Sequence, residues 1–376
     1  MAKFRAAIQR RHLLQAGNQA GWARASALVA GLAGVCLTML AFGGDDPPAD
    51  NSPRTTIALA VLGDSSSHSY QDSKSFPLGS TSRGGAFRAR TFQWTEVLAR
   101  LRGNELNPGP WVEWGRSNQV AWFRRLIGLP SGRAPMKEDY LYNFASSGAT
   151  CGNLMGGPLH RFGQAPQLVA LMGRDPERWR NGVIVIRIGN NDWSAVLDDQ
   201  ARDPNASRVR ATAAYCLEQI TAALKLIRAT HSDTRILLVG VDNEANEPGT
   251  FDRYRSAIAV ANIQTAFDKF NARLRELVGN DDRIGFFDLG AWFQNLWGRR
   301  GPDGAPEHKV VVVGGKLRVT NTIGDEPSNA VLADDHGGLV LNALWAQSLV
   351  LSLRQIFDLR LTPISDDELA RFAFAL

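Results

Sequence analysis

Four short segments carry side chains able to do chemistry, and three of them fall where an apolar, strand-like run ends. The first is Gly63-Asp64-Ser65. A serine at a strand-to-helix turn can project its hydroxyl into a cleft, and the glycine before it permits a tight backbone. The second, "NFASSGAT", contains Gly148, where the absence of a side chain lets a backbone N–H approach a ligand closely. The third is Gly189-Asn190-Asn191-Asp192, directly after the most apolar run of the chain; a side-chain amide there can donate to a developing oxyanion. The fourth, "LADDHGGLVLNALWAQ", puts His336 just before the last long helix, beside Asp334 and Asp335. Taken singly, each has a bland reading, since Gly-Asp-Ser is a common loop tripeptide and a lone glycine more often marks a turn.

The elements that must hold these residues are legible as alternating patterns. Apolar runs of strand length occur at 56–62, 140–145, 183–188, 236–241 and 284–289, and helix-periodic stretches at 92–101, 207–230, 251–278 and 339–356. Continuous apolar strands alternating with helices predict an α/β fold, a parallel sheet wound on both faces into three layers in the flavodoxin-like manner. Function in such folds gathers beyond the carboxyl ends of the strands. Two stretches stand outside this scheme. Residues 66–138 form an insertion rich in Gly, Arg and Trp, and "KVVVVGGKLRVT" predicts a late hairpin turning at Gly314–Gly315.

Composition narrows the partners. The net charge of +5 comes from the first 44 residues, which hold five basic residues and no carboxylate. The remaining 37 basic and 37 acidic residues balance, so the body has no electrostatic footprint for nucleic acid. Basic residues before the uncharged run 25–42 predict an export signal or a retained membrane anchor over 1–44, followed by a linker at 45–55 and a single domain over 56–376. Such a protein would act outside the cytoplasmic membrane: periplasmic, secreted or anchored through residues 25–42. "RRHLLQ" loosely resembles a twin-arginine signal but is separated from the apolar run. Cys36 is off-pattern for lipid attachment because Val35 precedes it. Cys151 and Cys216 would both reach an oxidising compartment, where a disulfide between them is open. No CxxC or His/Cys cluster suggests a metal, and no cofactor is expected.

Together the four segments resemble the SGNH (GDSL) hydrolases over nearly all of the body, from about Thr56 to Phe357: Gly-Asp-Ser, a glycine block, Gly-x-Asn-Asp, then a C-terminal Asp/His. The resemblance implies an esterase, lipase or acylhydrolase with Ser65 as nucleophile and His336 as base. It also implies an oxyanion hole from the Ser65 N–H, the Gly148 N–H and the Asn191 side chain. One position departs from the pattern. The family's aspartate three residues before the histidine is here Ala333, leaving Asp334 as the favoured partner of His336, Asp335 as the alternative, and a backbone carbonyl as a third choice. The expected reaction is hydrolysis of a carboxylic ester of a small molecule, lipid or glycan. Glycan O-acyl transfer and deacetylation are variants of the same chemistry. A non-catalytic binding protein on this fold is a different class, whose support is the displaced aspartate, while a metal-assisted phosphodiesterase is disfavoured by the lack of a ligand cluster. Asp64 is expected to bond its own loop. His68 is a poor rival base, because a near neighbour in a turning loop rarely faces the hydroxyl. Asp242–Pro248 reads equally as cleft lining or as a solvated acidic loop. The tryptophans at 94, 111, 114 and 122 are expected to pack the insertion onto the sheet more than to stack on a sugar or acyl chain.

Overall fold

Strands buried on both faces must be covered by helices on both faces, and the apolar runs of this chain are placed accordingly. The computed structural model describes residues 46–53, 55–77, 79–157, 162–301, 303–307 and 309–375; the apolar run 25–42 with Cys36, and His160 and His308, lie outside the described residues. In chain order the strands are β1 (Ile57–Gly63), β2 (Leu106–Asn107), β3 (Trp111–Trp114), β4 (Lys137–Tyr140), β5 (Val183–Arg187), β6 (Arg235–Val239), β7 (Ile284–Phe287), β8 (Val310–Val313), β9 (Leu317–Ile323) and β10 (Asn329–Val331). The central sheet is parallel, in the order β2-β1-β5-β6-β7.

Alternate residues of its strands feed two cores. Ala58, Ala60, Leu62, Ile184 and Ile186 pack with residues of the helices Ser207–Thr230 and Ala257–Glu276. Leu59, Val61, Val183, Val185 and Leu237 pack on the other face with residues of Trp94–Arg102 and Leu339–Phe357. The three-layer α/β fold expected from the sequence is therefore present. Among the described residues Leu339–Phe357 is long and apolar enough to cross a membrane, but its Leu349, Val350 and Leu353 are buried in the second core.

One strand differs from expectation. Residues 140–145 touch β1 through a single bridge, Val61 to Asn143, and the edge of the sheet is completed by the two-residue β2 instead. The segment still bonds β1, with Val61 N–H donating to the Tyr142 carbonyl (3.0 Å) and Phe144 N–H to the Val61 carbonyl (2.8 Å), but a turn closed by Asn143 N–H on the Tyr140 carbonyl (2.9 Å) keeps it from running as a regular strand. On its outer side the buried Arg133 donates through Nη1 to the Leu141 carbonyl (3.2 Å) and through Nη2 to the Asn143 carbonyl (2.6 Å). The late hairpin forms as expected: β8 and β9 are antiparallel, and Gly314 (φ 57°) and Gly315 (φ 69°) supply the left-handed turn that matches strand twist.

Cys151 and Cys216 are joined in a disulfide with Cα atoms 5.1 Å apart. It pins the segment after Gly148 to the helix Ser207–Thr230, closing a loop of 65 residues. Loop-closure entropy for a crosslink of this span is worth about 4 kcal/mol. Cys216→Ala, or reduction of the folded protein, is therefore expected to move the urea midpoint down markedly. Identical midpoints with and without reductant would show that the bond adds no stability.

Candidate active site

Strand β1 ends at Gly63 because its neighbour β5 comes too close for a side chain: a Cβ there would sit 2.4 Å from the Arg187 carbonyl oxygen. The chain then turns on Asp64, whose main-chain oxygen accepts from the N–H groups of Ser67 and His68 (both 3.1 Å) and whose Oδ1 accepts from Ser66 N–H (2.9 Å). Asp64 thus bonds its own loop, as expected, and burial pushes its carboxyl up. The turn delivers Ser65 to a cleft of about 440 Å³ beyond the carboxyl ends of β1, β5 and β6.

Asn191 and His336 line the same cleft. Asn191 follows Gly189, which turns at φ 122°, and sits in the short helix Asn190–Ser194. One amide hydrogen of Asn191 is used on the Ala149 carbonyl (2.8 Å), which ties this segment to the glycine block, and Asp192 Oδ2 accepts from Cys151 N–H (2.8 Å) to make a second tie. Gly148 has φ 75° and open space where a Cβ would stand. It lines an adjoining hollow of about 170 Å³ with Ser147 and Asn153, not the cleft that holds Ser65, so the structure brings Ser65, Asn191 and His336 together and leaves Gly148 one residue from the carbonyl that Asn191 holds.

His336 closes a tight turn in which Leu332 N–H donates to its carbonyl (2.7 Å), with Asp335 left-handed at φ 61°. Its Nδ1 meets the main-chain carbonyl of Asp334 at 2.7 Å and the Asp334 carboxylate at 3.3 Å. Arg83 Nη1 stands 2.8 Å from the same nitrogen and 2.5 Å from Asp334 Oδ2. A guanidinium only donates, so Nδ1 faces opposite demands: the Arg83 contact needs it bare and the Asp334 carbonyl needs Nδ1–H, and the Nδ1–H tautomer is the one that frees Nε2 as an acceptor. Among the described residues no hydrogen bond joins the Ser65 hydroxyl to His336, in keeping with catalytic contacts that tighten only once substrate is bound. Burial works to raise the Asp334 carboxyl, but the bond and charge of His336, with the Arg83 N–H and guanidinium, outweigh it and hold the group well below the usual carboxylate range.

His68 faces away from this chemistry. It is buried, its Nε2 bonds Asp72 Oδ2 (2.8 Å), and its Nδ1 accepts from Ser147 N–H (3.1 Å), so it props the glycine block. The acidic loop after β6 lines the cleft with Asp242, Glu244 and Glu247, resolving its two readings in favour of the cleft. The insertion's tryptophans pack as expected, Trp94 against Trp345 (4.6 Å) and Trp111 edge-on to Tyr140 (5.1 Å). The tryptophans that line the cleft are Trp292 and Trp345. Arg83 and Arg187 were not foreseen; nothing in the local sequence marks an arginine as reaching a histidine more than 250 positions away.

The family of GDSL-like lipases and acylhydrolases matches residues 59–308, a span that includes Ser65, Gly148 and Asn191 and ends before His336. Among curated proteins none matches the chain. Solved structures similar to it include the extracellular lipase of Streptomyces rimosus (16% identity, 69% of this chain and 90% of that one, TM-score 0.37). Two others are the lipase Lip_vut3 from a goat rumen metagenome (15%, 67% and 90%, TM-score 0.35) and a putative GDSL-like lipase from Parabacteroides merdae (15%, 83% and 99%, TM-score 0.35). With its parallel sheet flanked by helices and a serine turn at the end of β1, the chain belongs to the GDSL-like lipase/acylhydrolase family.

Proposed function

We propose that the protein is a serine esterase in which Ser65 is the nucleophile and His336 the general base. The observation that carries this reading is that Ser65, His336 and Asn191, which come from three separate parts of the chain, line one cleft. A neutral serine is a poor nucleophile, so His336 Nε2 takes its proton as Ser65 Oγ attacks the ester carbonyl carbon. The carbonyl oxygen becomes an oxyanion, met by the Asn191 amide and the Ser65 N–H, while Gly148, which lines the adjoining hollow, backs the Asn191 amide through the neighbouring Ala149 carbonyl. Collapse expels the alcohol, which takes the proton from His336, and leaves an acyl-serine. Water, deprotonated by the same histidine, then releases the acid. The ring is oriented by the Asp334 carbonyl at 2.7 Å, with the Asp334 carboxylate in a supporting place at 3.3 Å. Asp335 lines the cleft and is the alternative partner.

Two walls bear on the substrate. Leu289, Trp292, Phe293 and Leu341 form an apolar side, and Asp242, Glu244, Glu247, Ser194 and Thr250 a polar one. This division favours a modest acyl group on a hydroxylated leaving group over a bulk lipid. The polar wall would equally seat a hydroxylated acceptor, making acyl transfer to a glycan the second reading. The disulfide supports function in an oxidising compartment, outside the cytoplasmic membrane. The test is labelling by a fluorophosphonate beside hydrolysis of short and long p-nitrophenyl esters, with and without a polyol acceptor. Labelling at Ser65 with hydrolysis of short esters supports the esterase; acylated polyol moves the reading to transfer; no label and no turnover would sink both.

A pH dependence follows from the polar wall. Burial, with the charges of Asp242 and Asp64 and against the Ser194 hydrogen bond, pushes the Glu244 carboxyl up to about 7, and burial with Asp242 and Glu244 raises Glu247 as well. Below about pH 7 Glu244 is a neutral acid; above it, a new anion shares the cleft with the developing oxyanion and opposes it. We therefore expect kcat/KM to lose ground as pH climbs through about 7, and Glu244→Gln to weaken that descending limb, with Glu247 in the same cleft supplying the rest. A wild-type profile that stays flat there would remove Glu244 from the account.

A further inference from the structure

We propose that Arg83, carried by the insertion, is a positioning residue that locks the His336 ring and the glycine block into one working geometry; this rests on the Ser65–His336 reading. Three contacts converge on it. Its main-chain N–H (2.9 Å) and Nη1 (2.5 Å) both donate to Asp334 Oδ2, and its Nη2 donates to Ser147 Oγ (3.2 Å). The first two fix Asp334, whose carbonyl stands 2.7 Å from His336 Nδ1, with Arg83 Nη1 itself 2.8 Å from the same nitrogen. The third fixes the residue before Gly148, which His68 braces through the Ser147 N–H. One guanidinium thus ties the support of the base to the segment whose Ala149 carbonyl holds the Asn191 amide.

The backbone supports a role for this side chain. Arg83 is left-handed (φ 61°) at the head of a run completed by Gly84 (φ 104°) and Gly85 (φ 49°). Glycine would adopt this conformation freely, whereas a branched-off side chain costs about 1–3 kcal/mol there, a strain that persists only where surroundings enforce it. The surroundings do so. Arg83 is 5% exposed, with its guanidinium 4.5 Å from the centre of the Phe76 ring and 5.5 Å from that of Tyr70. A planar fork is required here, because a lysine ammonium can reach one of the two acceptors but cannot span Asp334 and Ser147 at once. The arrangement also accounts for the displaced aspartate. With Ala333 where the family has its carboxylate, the ring is oriented by a main-chain carbonyl, and a carbonyl is only as well placed as the residue that carries it.

The test compares the full-length protein with Arg83→Met, Arg83→Lys and the double variant Arg83→Met/Asp334→Asn, the last of which leaves no unpaired buried charge and so guards against simple unfolding. Misplacing a catalytic group by a fraction of an ångström should lower kcat about tenfold to a hundredfold with KM unchanged, in the single and the double variant alike. Arg83→Lys should recover part of the loss. Imidazole nitrogen spectra of His336 need no substrate and keep the two readings separable: wild type should show a single tautomer, and Arg83→Met a mixture of tautomers. A folded double variant with wild-type kcat, or an unchanged His336 spectrum in Arg83→Met, would overturn the positioning role even if the esterase stands. Lack of turnover in wild type beside the expected spectra would overturn the esterase reading and leave the clamp supported.

Discussion

Ser65→Ala is expected to lower kcat for short p-nitrophenyl esters by about 10⁴–10⁶, and His336→Ala by a similar factor, with the double variant no worse than either. The lack of additivity is the informative part. If the serine attacks only as the histidine takes its proton, removing one makes the other idle. Neither change should disturb the fold. The Ser65 contact that the structure places inside the protein is main-chain, its carbonyl accepting from Gln93 Nε2 at 3.2 Å, and the turn itself is held by Asp64. The His336 turn likewise closes through main-chain bonds between Leu332 and His336. Melting temperatures should therefore stay near wild type while fluorophosphonate labelling disappears in Ser65→Ala and slows sharply in His336→Ala. Rates that remain equal in all three proteins would remove both residues from the mechanism, and additive losses would mean that they act in separate steps.

What could be read in advance divides along a physical line. Ser65, Asn191 and the strands that present them are marked by local signals: an apolar run, then a glycine that ends it. Gly63 must be glycine because of the Arg187 carbonyl, and that crowding is a direct consequence of β1 pairing with β5. The helix 207–230 was legible to the residue because its apolar period runs unbroken. The helix expected over 251–278 begins instead at Ala257, after a turn of 3₁₀ type at Pro248–Thr250, because the Ser256 side chain supplies the cap that starts it. Features that depend on long reach were not legible. Arg133 takes the carbonyls of 141 and 143 on the outer side of a segment that turns at 140–143 instead of running as a strand, and Arg83 meets Asp334 across 251 positions. The loop after β6 shows why its two readings were balanced: Asp242, Glu244 and Glu247 line the cleft, while Asn243 and Asn246 line a cavity on its other side. An alternation of this kind is decided by what packs on each side, which composition does not reveal.

Asn191→Ala carries the second large effect, a fall in kcat of about 10²–10³ with little change in KM. The asymmetry follows from when the bond is made. A ground-state ester carbonyl gains little from one more donor, whereas the oxyanion of the tetrahedral intermediate gains a charge-assisted bond. The geometry is suited to this use. The Ala149 carbonyl at 2.8 Å takes one amide hydrogen of Asn191 and so fixes the plane of the group, and Asn191 lines the cleft. A preset donor needs no reorganisation when charge develops. Alanine also deletes the tether, at a cost to stability of about 1 kcal/mol. Asn191→Asp separates the two functions: it keeps the size of the side chain, removes the donor and adds a negative charge beside the oxyanion, so it should be slower than Asn191→Ala. If both variants stay within about threefold of wild type, well short of the loss expected for a missing donor, the amide serves only to hold Ala149. The oxyanion would then depend on main-chain N–H groups, and the weight of the site would shift to the segment that Arg83 and His68 hold in place.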